Sequence, residues 1–472
     1  MVHHKRCRGI ALFAFRVCML LPAVMLPLAG SDAFAQTAKK GAGTDSVQSD
    51  EEALRRKRQA VYRALLEKPD DLDLNFAYAA LSARLGDYEG AITALERMLI
   101  FAPDLPRVKL ELGVMYFRLG SFVMARSYFL DALNADNVPA TVTERVKQYL
   151  AAIEKKLSRH KFNGTVFLGL RYQSNANGAP SDANVDINGV TFRLDDSSTA
   201  QSDLSAIGFV RGQYSYDFFN QGDKAEVDGI LFVSGQKSEE QLNSRILELR
   251  GGLSFDLAKR DWGVGRIKPY LLLGHVALDE NGYSRTFGLG GVLDRELATR
   301  WYLSARGEIR NLRYNNTAAN PTLNSRDGNE YDLSASFIYR PSLDWGRLRT
   351  PAASFLGGVE RRQADKDFQS RTIWRVNAAL NGRFDLRDKG FRRLWELSLL
   401  GSFRNSLYDE PDTAISSSDR DDREWLFRAT VGVPLRDDLS LLFVYQLRDV
   451  RSNYDIYDYT DHAGTIGLAW QF

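Results

Sequence analysis

An alternation of apolar and polar residues along the C-terminal two-thirds of the chain most limits what this sequence can fold into. The closing segment HAGTIGLAWQF has one apolar face, formed by Ile466, Leu468, Trp470 and Phe472. A period of two residues predicts a β-strand with one face in an apolar environment. From residue 161 to residue 472 we find about fourteen such segments, each long enough for a membrane strand of about 9–11 residues.

The connections between these segments alternate in length. Long polar connections follow the first strand (175–202), the seventh strand and the eleventh strand, whereas NQGD, RDKG and PLRDD are short. This pattern is typical of an outer-membrane barrel with both termini in the periplasm. DENG is an exception, because it is short where a long loop is allowed. In such a barrel the last strand pairs with the first, since lipid leaves unpaired backbone groups without a partner.

A soluble β-sandwich is the alternative, because alternation alone does not separate the two folds. The strands are longer than the usual length of about five or six residues, which favours the barrel. The aromatic closing strand favours it as well. The polar face carries charges that suit a water-filled lumen, among them Arg211, Glu226, Glu248, Arg250, Arg306, Glu308 and Arg310.

The composition excludes several classes of protein. The 472 residues carry a net charge of +2, so no electrostatic argument points to a nucleic-acid partner. After the first thirty residues no apolar run approaches the roughly 20 residues of a membrane helix. The two cysteines, Cys7 and Cys18, lie near the N-terminus, which excludes disulfides and thiolate metal sites from the rest of the chain.

The first fifty residues divide into two segments. Residues 1–35 combine a basic start, an apolar stretch and a small-residue cleavage site at Ala33-Phe34-Ala35, which predicts a signal peptide. An uncleaved membrane anchor is the alternative. Residues 36–50 are small, polar and charged, and we predict a flexible linker there.

Residues 51–157 contain a 34-residue internal repeat of helical character. Small residues recur at this spacing in the pairs Ala79 and Gly113, Gly86 and Gly120, and Ala91 and Ala125. The period resembles the tetratricopeptide repeat, although Asn75 and Lys109 stand where that repeat usually has tryptophan. The fold class predicted for the whole chain is therefore α + β multidomain, an N-terminal α-helical solenoid followed by an antiparallel transmembrane β-barrel of about fourteen strands.

The first helix of each repeat lines the concave groove of such a solenoid. We therefore predict the cargo-binding residues as Asp73, Phe76, Ala80 and Arg84 in the first unit, and Arg107, Leu110, Val114, Phe117 and Arg118 in the second. Arg84 and Arg118 occupy equivalent positions and would present a stacked basic pair to a carboxylate. A solvated helix face is the alternative interpretation.

The loop after the first strand gives a family resemblance. In FLGLRYQSNANGAPSD, an aromatic strand runs into an Asn-x-Asn-x-Ala-Pro segment, with Tyr172, Asn175, Asn177, Ala179 and Pro180. Together with the order of leader, repeats and barrel, this segment resembles the surface lipoprotein assembly modulators, the Slam family. The resemblance implies export of lipoproteins or related soluble proteins to the cell surface, with a periplasmic helical domain that engages cargo or a chaperone.

The closing strand resembles the signal that barrel assembly machinery reads in outer-membrane proteins. This resemblance makes Ile466, Leu468, Trp470 and Phe472 assembly residues. Glycines at the predicted seam between first and last strand are Gly164, Gly169, Gly464 and Gly467. They are compatible with weak pairing at a lateral gate or with close packing, and the sequence leaves both open, as it does a route for cargo through the lumen or through the seam.

Candidate catalytic and metal residues are sparse. NVDINGVTFRLD mimics part of a calcium loop, but a polar surface loop is the alternative. Outside the leader the histidines are His160, His275 and His462, which lack ligand spacing and are expected in the lumen or at an interface. We find no phosphate-binding loop and predict no enzyme activity, cofactor or metal. A polysaccharide exporter or a solute porin with an accessory helical domain is the alternative function.

Overall fold

The computed structural model describes residues 44–134, 140–220, 222–279, 281–317, 321–342 and 344–472, with side chains from residue 51 onward. The predicted signal peptide and the first part of the predicted linker lie outside these residues. The described chain divides into two compact units, one ending at Ser158 and the other beginning at Arg159. Each unit is treated separately below.

The first unit is helical. Its elements are α1 (Thr44–Glu67), α2 (Leu72–Arg84), α3 (Tyr88–Phe101), α4 (Pro106–Leu119), α5 (Phe122–Leu133) and α6 (Ala140–Leu157). The prediction of a linker up to residue 50 is wrong at its end, because α1 begins at Thr44. The segment TDSVQSD contains neither glycine nor proline, so it holds no residue that ends a helix. None of the described helices is both long and apolar enough to span a membrane.

Small residues allow the second helical hairpin to close tightly. A Cβ atom at Gly113 of α4 would lie 2.7 Å from the ring of Phe129 in α5. Phe129 and Ala125 are fully buried. The repeat spacing of 34 residues therefore reflects a need for close helix contact at fixed positions.

Replacing Gly113 by valine is expected to destabilise the helical unit by about 1–3 kcal/mol, because the added methyl groups meet a ring that has no free volume around it. Thermal loss of the helical circular-dichroism signal of the detergent-solubilised protein would measure this. The control is Ser127→Val, at an exposed position of α5. Equal melting temperatures of the two variants would contradict the packing argument.

The second unit is a closed antiparallel barrel of fourteen strands. They are β1 (His160–Gln173), β4 (Asp203–Asn220), β5 (Asp223–Gln236), β6 (Ser244–Asp256), β7 (Gly265–Leu278), β8 (Asn281–Ala298), β9 (Trp301–Tyr314), β10 (Gly328–Tyr339), β11 (Leu348–Ala364), β12 (Arg371–Phe384), β13 (Trp395–Tyr408), β14 (Asp421–Pro434), β15 (Leu439–Ser452) and β16 (Tyr459–Gln471). Each strand pairs with its neighbours in chain order, and β1 pairs with both β4 and β16. The predicted fold class is confirmed.

The outer face of the barrel is apolar, as lipid requires. On β1, Leu168 and Leu170 are 66% and 53% exposed, whereas Phe167 and Arg171, which face the interior, are 3% and 9% exposed. The same alternation continues on the other strands, where Leu271, Leu273, Phe287 and Leu289 are also more than half exposed. The second unit therefore has the apolar exterior of a transmembrane barrel.

The two rims of the barrel differ. β1 begins and β16 ends at one rim, which we term the turn end, where the connections 435–438 and 299–300 are short. The opposite rim, the loop end, carries the connection 174–202 and the loop 409–420.

A short hairpin within 174–202, formed by β2 (Asn184–Ile187) and β3 (Val190–Arg193), was not predicted. Asn188 and Gly189 connect its strands with φ angles of 51° and 77°, as a two-residue hairpin turn requires. The hairpin packs on other loops at the same rim, because Val185 is buried with Tyr454 and Ile456.

Candidate functional site

The predicted groove of the helical unit is only partly formed by the residues expected there. Asp73, Ala80 and Arg84 are exposed along α2. Arg107 of α4 places its guanidinium 4.9 Å from the centre of the Phe76 ring, so these two predicted residues meet between the first helices of the two repeats. This contact combines a positive charge with an apolar ring, a combination that suits binding of a peptide.

Other predicted groove residues belong to the core. The ring of Phe117 packs against Phe122 and Tyr149, at 5.6 Å and 5.2 Å between ring centres. Val114 is buried, and Leu110 packs against the same core. Phe117 is half-buried, with one side of its ring packed against Tyr149 of α6, and its role in cargo binding stays a prediction.

The predicted basic pair is divided. Arg118 lies over the ring of Tyr88 in α3, 5.9 Å from its centre. Arg84 is exposed at the end of α2. Arg118 is therefore placed by the Tyr88 ring, whereas Arg84 has no such contact with an aromatic ring among those described.

A carboxylate joins the two repeats at a position that the sequence did not single out. Glu96 of α3 accepts hydrogen bonds from the hydroxyls of Tyr116 (2.6 Å) and Tyr128 (3.4 Å), and the two tyrosine rings stack at 5.5 Å. Burial, together with the bond to Glu96, raises the pKa of Tyr116 above its usual range. Both hydroxyls therefore stay protonated at neutral pH and hold the second repeat against the first.

The interior of the barrel is crossed by ion pairs centred on Glu308. The side chain of this residue is 1% exposed. It accepts hydrogen bonds from Arg310 on the same strand and from the hydroxyl of Tyr270 on β7, and it lies 3.6 Å from Arg250 on β6. Side chains from three strands thus share one carboxylate.

A second group of charges follows on the adjoining wall. Arg375 of β12 contacts Asp332 of β10 and lies 3.4 Å from Glu360 of β11, which is 3.9 Å from Arg404. The charges predicted to face a water-filled lumen do face the interior. Six of the seven, namely Glu226, Glu248, Arg250, Arg306, Glu308 and Arg310, lie within 4.0 Å of an opposite charge, which is how buried charge is tolerated.

The seam between β1 and β16 is closed. Nine consecutive residue pairs join the two strands, and Gly164 and Phe472 add two backbone hydrogen bonds of 3.0 Å and 3.1 Å. A Cβ at Gly467 or Gly169 would collide with the Phe167 ring, and one at Gly164 would meet Phe472. These three glycines serve packing, whereas Gly464 has open space beside it.

The predicted assembly residues lie on the outer face of the seam. Ile466, Leu468, Trp470 and Phe472 are all exposed toward the lipid side. The Phe472 ring also packs against Phe162, with ring centres 5.3 Å apart. Their placement agrees with a lipid-facing role, and recognition by assembly machinery stays a prediction.

The segment that resembles the Slam family forms a folded turn at the loop end. Asn175, Asn177 and Ala179 are buried, while Tyr172 faces outward. The Asn175 amide donates to the carbonyl of Ala179 (2.8 Å) and its oxygen accepts from the Ala179 N–H (3.1 Å). Pro180 follows directly. Asp461 of β16 accepts the backbone N–H of Asn175 (3.1 Å), so the turn is tied to the closing strand.

The structure places the candidate metal and histidine residues on a loop and on the outer face of the barrel. Among the residues that the structure describes, no group of His, Cys, Asp or Glu is placed to hold a metal ion. The calcium-like residues form the β2–β3 hairpin, where Asp186 accepts the N–H of Gly189 at 2.7 Å. His160, His275 and His462 are exposed on the outer face, so the lumen is the wrong location for them.

Comparison with known proteins gives no family. No protein-family model and no curated protein matches the chain. The Yersinia enterocolitica type III secretion chaperone SycD, in complex with a peptide of the translocator YopD, is 19% identical over 23% of this chain and 86% of its own, with a TM-score of 0.21. PcrH in complex with the chaperone binding region of PopD is 18% identical to this chain. The match covers 25% of this chain and 98% of PcrH, with a TM-score of 0.21. The outer membrane protein opdK from Pseudomonas aeruginosa is 8% identical to this chain. The match covers 66% of this chain and 98% of opdK, with a TM-score of 0.32. Identities and TM-scores this low support no argument from these proteins, so the fold is described from the helices and strands of this chain alone.

Proposed function

We propose that this protein is an outer-membrane exporter that moves lipoproteins or related soluble proteins to the cell surface. The observation that carries the proposal is the presence, in one chain, of a transmembrane barrel and a helical-hairpin unit with an exposed first-helix face. In this proposal the helical unit lies in the periplasm and engages the cargo or a chaperone. Barrel assembly machinery inserts the chain through its closing strand.

The export step involves no covalent chemistry in this proposal. The described residues hold no metal cluster, and the sequence contains no phosphate-binding loop. Folding or capture of the cargo outside the cell then supplies the free energy that makes export directional. The Asn-x-Asn-x-Ala-Pro resemblance to the Slam family supports this assignment over a simple porin.

The experiment is deletion of the gene followed by protease treatment of intact cells. We expect a defined set of proteins to disappear from the protease-accessible surface, and to return when the full chain is supplied. Export that persists without residues 51–157 would contradict the role given to the helical unit. Loss of a surface polysaccharide or of solute uptake, with surface proteins unchanged, would favour the two alternatives instead.

Within the helical unit, the double variant Asp73→Ala/Arg107→Ala is expected to lower surface display of cargo about fivefold or more, because each lost contact of a central binding residue costs about 1 kcal/mol or more. Display is measured by labelling of intact cells. The matched control is Arg126→Ala, an exposed arginine on the second helix of the second hairpin. If the double variant and the control display cargo equally well, cargo is not recognised through Asp73 and Arg107.

A further inference from the structure

A cavity lies inside the barrel near the loop end. It holds about 80 Å³ and is bordered by the turn at 175–178, by β1, β4, β5 and β6 on one side, and by β15 and β16 on the other. The side chains that matter here are Arg171, Gln446, Arg448 and Asp461. The cavity has room for more than one water-sized group, and so for a carboxylate or a phosphate group.

The wall at β14, β15 and β1 carries more positive than negative charge. Arg428 does not border the cavity itself but hydrogen-bonds Gln446, which does, and the charged groups that act on it are Arg171 and Arg448. Arg448 is neutralised by Glu424, at 2.9 Å. Asp461, the remaining carboxylate, interacts with the charge of Arg171 and accepts hydrogen bonds from the Gln173 side chain and the Asn175 N–H.

Arg428 therefore stands without an acid of its own. It is 9% exposed, and its hydrogen bonds within the described residues go to the neutral side chain of Gln446. A buried guanidinium without a counter-charge is costly, so this position favours any anion that reaches it.

Gln446 supplies a donor directed away from Arg428. Its oxygen accepts two hydrogen bonds from that arginine, at 2.6 Å and 3.2 Å, which fixes the orientation of the amide. Its Nε2 atom is buried and has no hydrogen-bond partner among the residues that the structure describes. Gln446 itself is 4% exposed and lines the cavity.

We propose that this cavity binds a small anionic oxygen group, a carboxylate or a phosphate. The Gln446 amide donates a hydrogen bond to the anion, while the charge of Arg428, which has no acid of its own, balances the charge of the anion. The group belongs either to an acidic polypeptide segment or to a phospholipid headgroup, and both share this chemistry. The site is independent of the export assignment, because its detection requires no cargo.

The test is a thermal-shift measurement on the detergent-solubilised full chain, with the folded barrel followed by its heat-modifiable gel mobility. The probes are inorganic phosphate, N-acetylglutamate and glycerol 3-phosphate, each compared with potassium chloride at equal ionic strength. We expect at least one probe to raise the unfolding temperature by about 2 °C or more. Preference for N-acetylglutamate indicates a polypeptide source, and preference for glycerol 3-phosphate indicates a lipid source.

Two variants and a matched control decide whether the shift arises at this cavity. Arg428→Gln removes the surplus charge, and Gln446→Glu gives Arg428 a counter-charge, so each is expected to abolish the shift. Arg423→Gln lies on the same strand but is exposed and paired with Asp421, and it is expected to keep the shift. Absence of a shift with every probe, or an equal shift in all four proteins, would overturn the proposal.

Discussion

Replacing Gly252 by alanine is expected to remove most of the folded barrel. A Cβ at this position would lie 2.0 Å from the carbonyl oxygen of Pro269 and 2.7 Å from the Cα of Tyr270, both in the backbone of the neighbouring strand β7. Backbone atoms cannot rotate away as a side chain does, so β6 and β7 must separate. Overpacking that side chains absorb costs about 1–3 kcal/mol, and a larger cost is expected here.

The measurement is the fraction of the protein that keeps its folded, heat-modifiable gel mobility after extraction. We expect this fraction to fall about tenfold or more. The control is Gly357→Ala in β11, where an added Cβ meets nothing within 4 Å. A Gly252→Ala barrel as abundant and as heat-resistant as the Gly357→Ala barrel would show that the close approach of β6 and β7 is not required.

Replacing Glu308 by alanine is expected to lower the stability of the barrel by about 3 kcal/mol, because Arg310 and Arg250 lose the buried carboxylate that they share. Glu330, 3.8 Å from Arg310, and Glu248, 2.8 Å from Arg250, remain as their acidic partners. The Tyr270 hydroxyl loses its acceptor as well. Urea-induced unfolding of the barrel in lipid vesicles gives the midpoint and slope from which this loss is calculated.

Asp388→Ala is the control for that experiment. Asp388 pairs with Arg347 at 2.6 Å, but both side chains are about half exposed, so we expect a change of about 0–1 kcal/mol. Glu308→Gln keeps the shape of the side chain and loses only its charge. Its loss of stability is expected to lie between those of Glu308→Ala and Asp388→Ala. A Glu308→Ala barrel as stable as Asp388→Ala would mean that water already screens the interior charges.

Alternation was sufficient to predict the barrel strands, because each side chain on a transmembrane strand faces either lipid or the interior. The helical hairpins were predictable for a similar reason, since Gly113 must lie close to Phe129 in any such repeat. The β2–β3 hairpin was missed although Asn188-Gly189 is a strong turn signal, because the segment was compared with a calcium loop and then interpreted as a polar surface loop without strands.

The arrangement of the interior was not predictable from the sequence. That Glu308 meets Arg250, and that Arg428 is left with Gln446, depends on the stagger and curvature of the whole sheet, which no local pattern encodes. Phe117 illustrates the same limit in the helical unit, because only the position of α6 determines that its ring packs against Tyr149.

The contact between Glu308 and Arg250 has a consequence for biogenesis. These residues stand on β9 and β6, which are about 14 Å apart in a flat sheet, so they meet only after the sheet has rolled up. A half-finished cylinder that entered the bilayer would expose both groups to hydrocarbon, at a cost of about 2–4 kcal/mol for the arginine and less for the glutamate. The chain therefore gains little by inserting hairpin after hairpin, and rolling must precede or accompany its entry into the lipid.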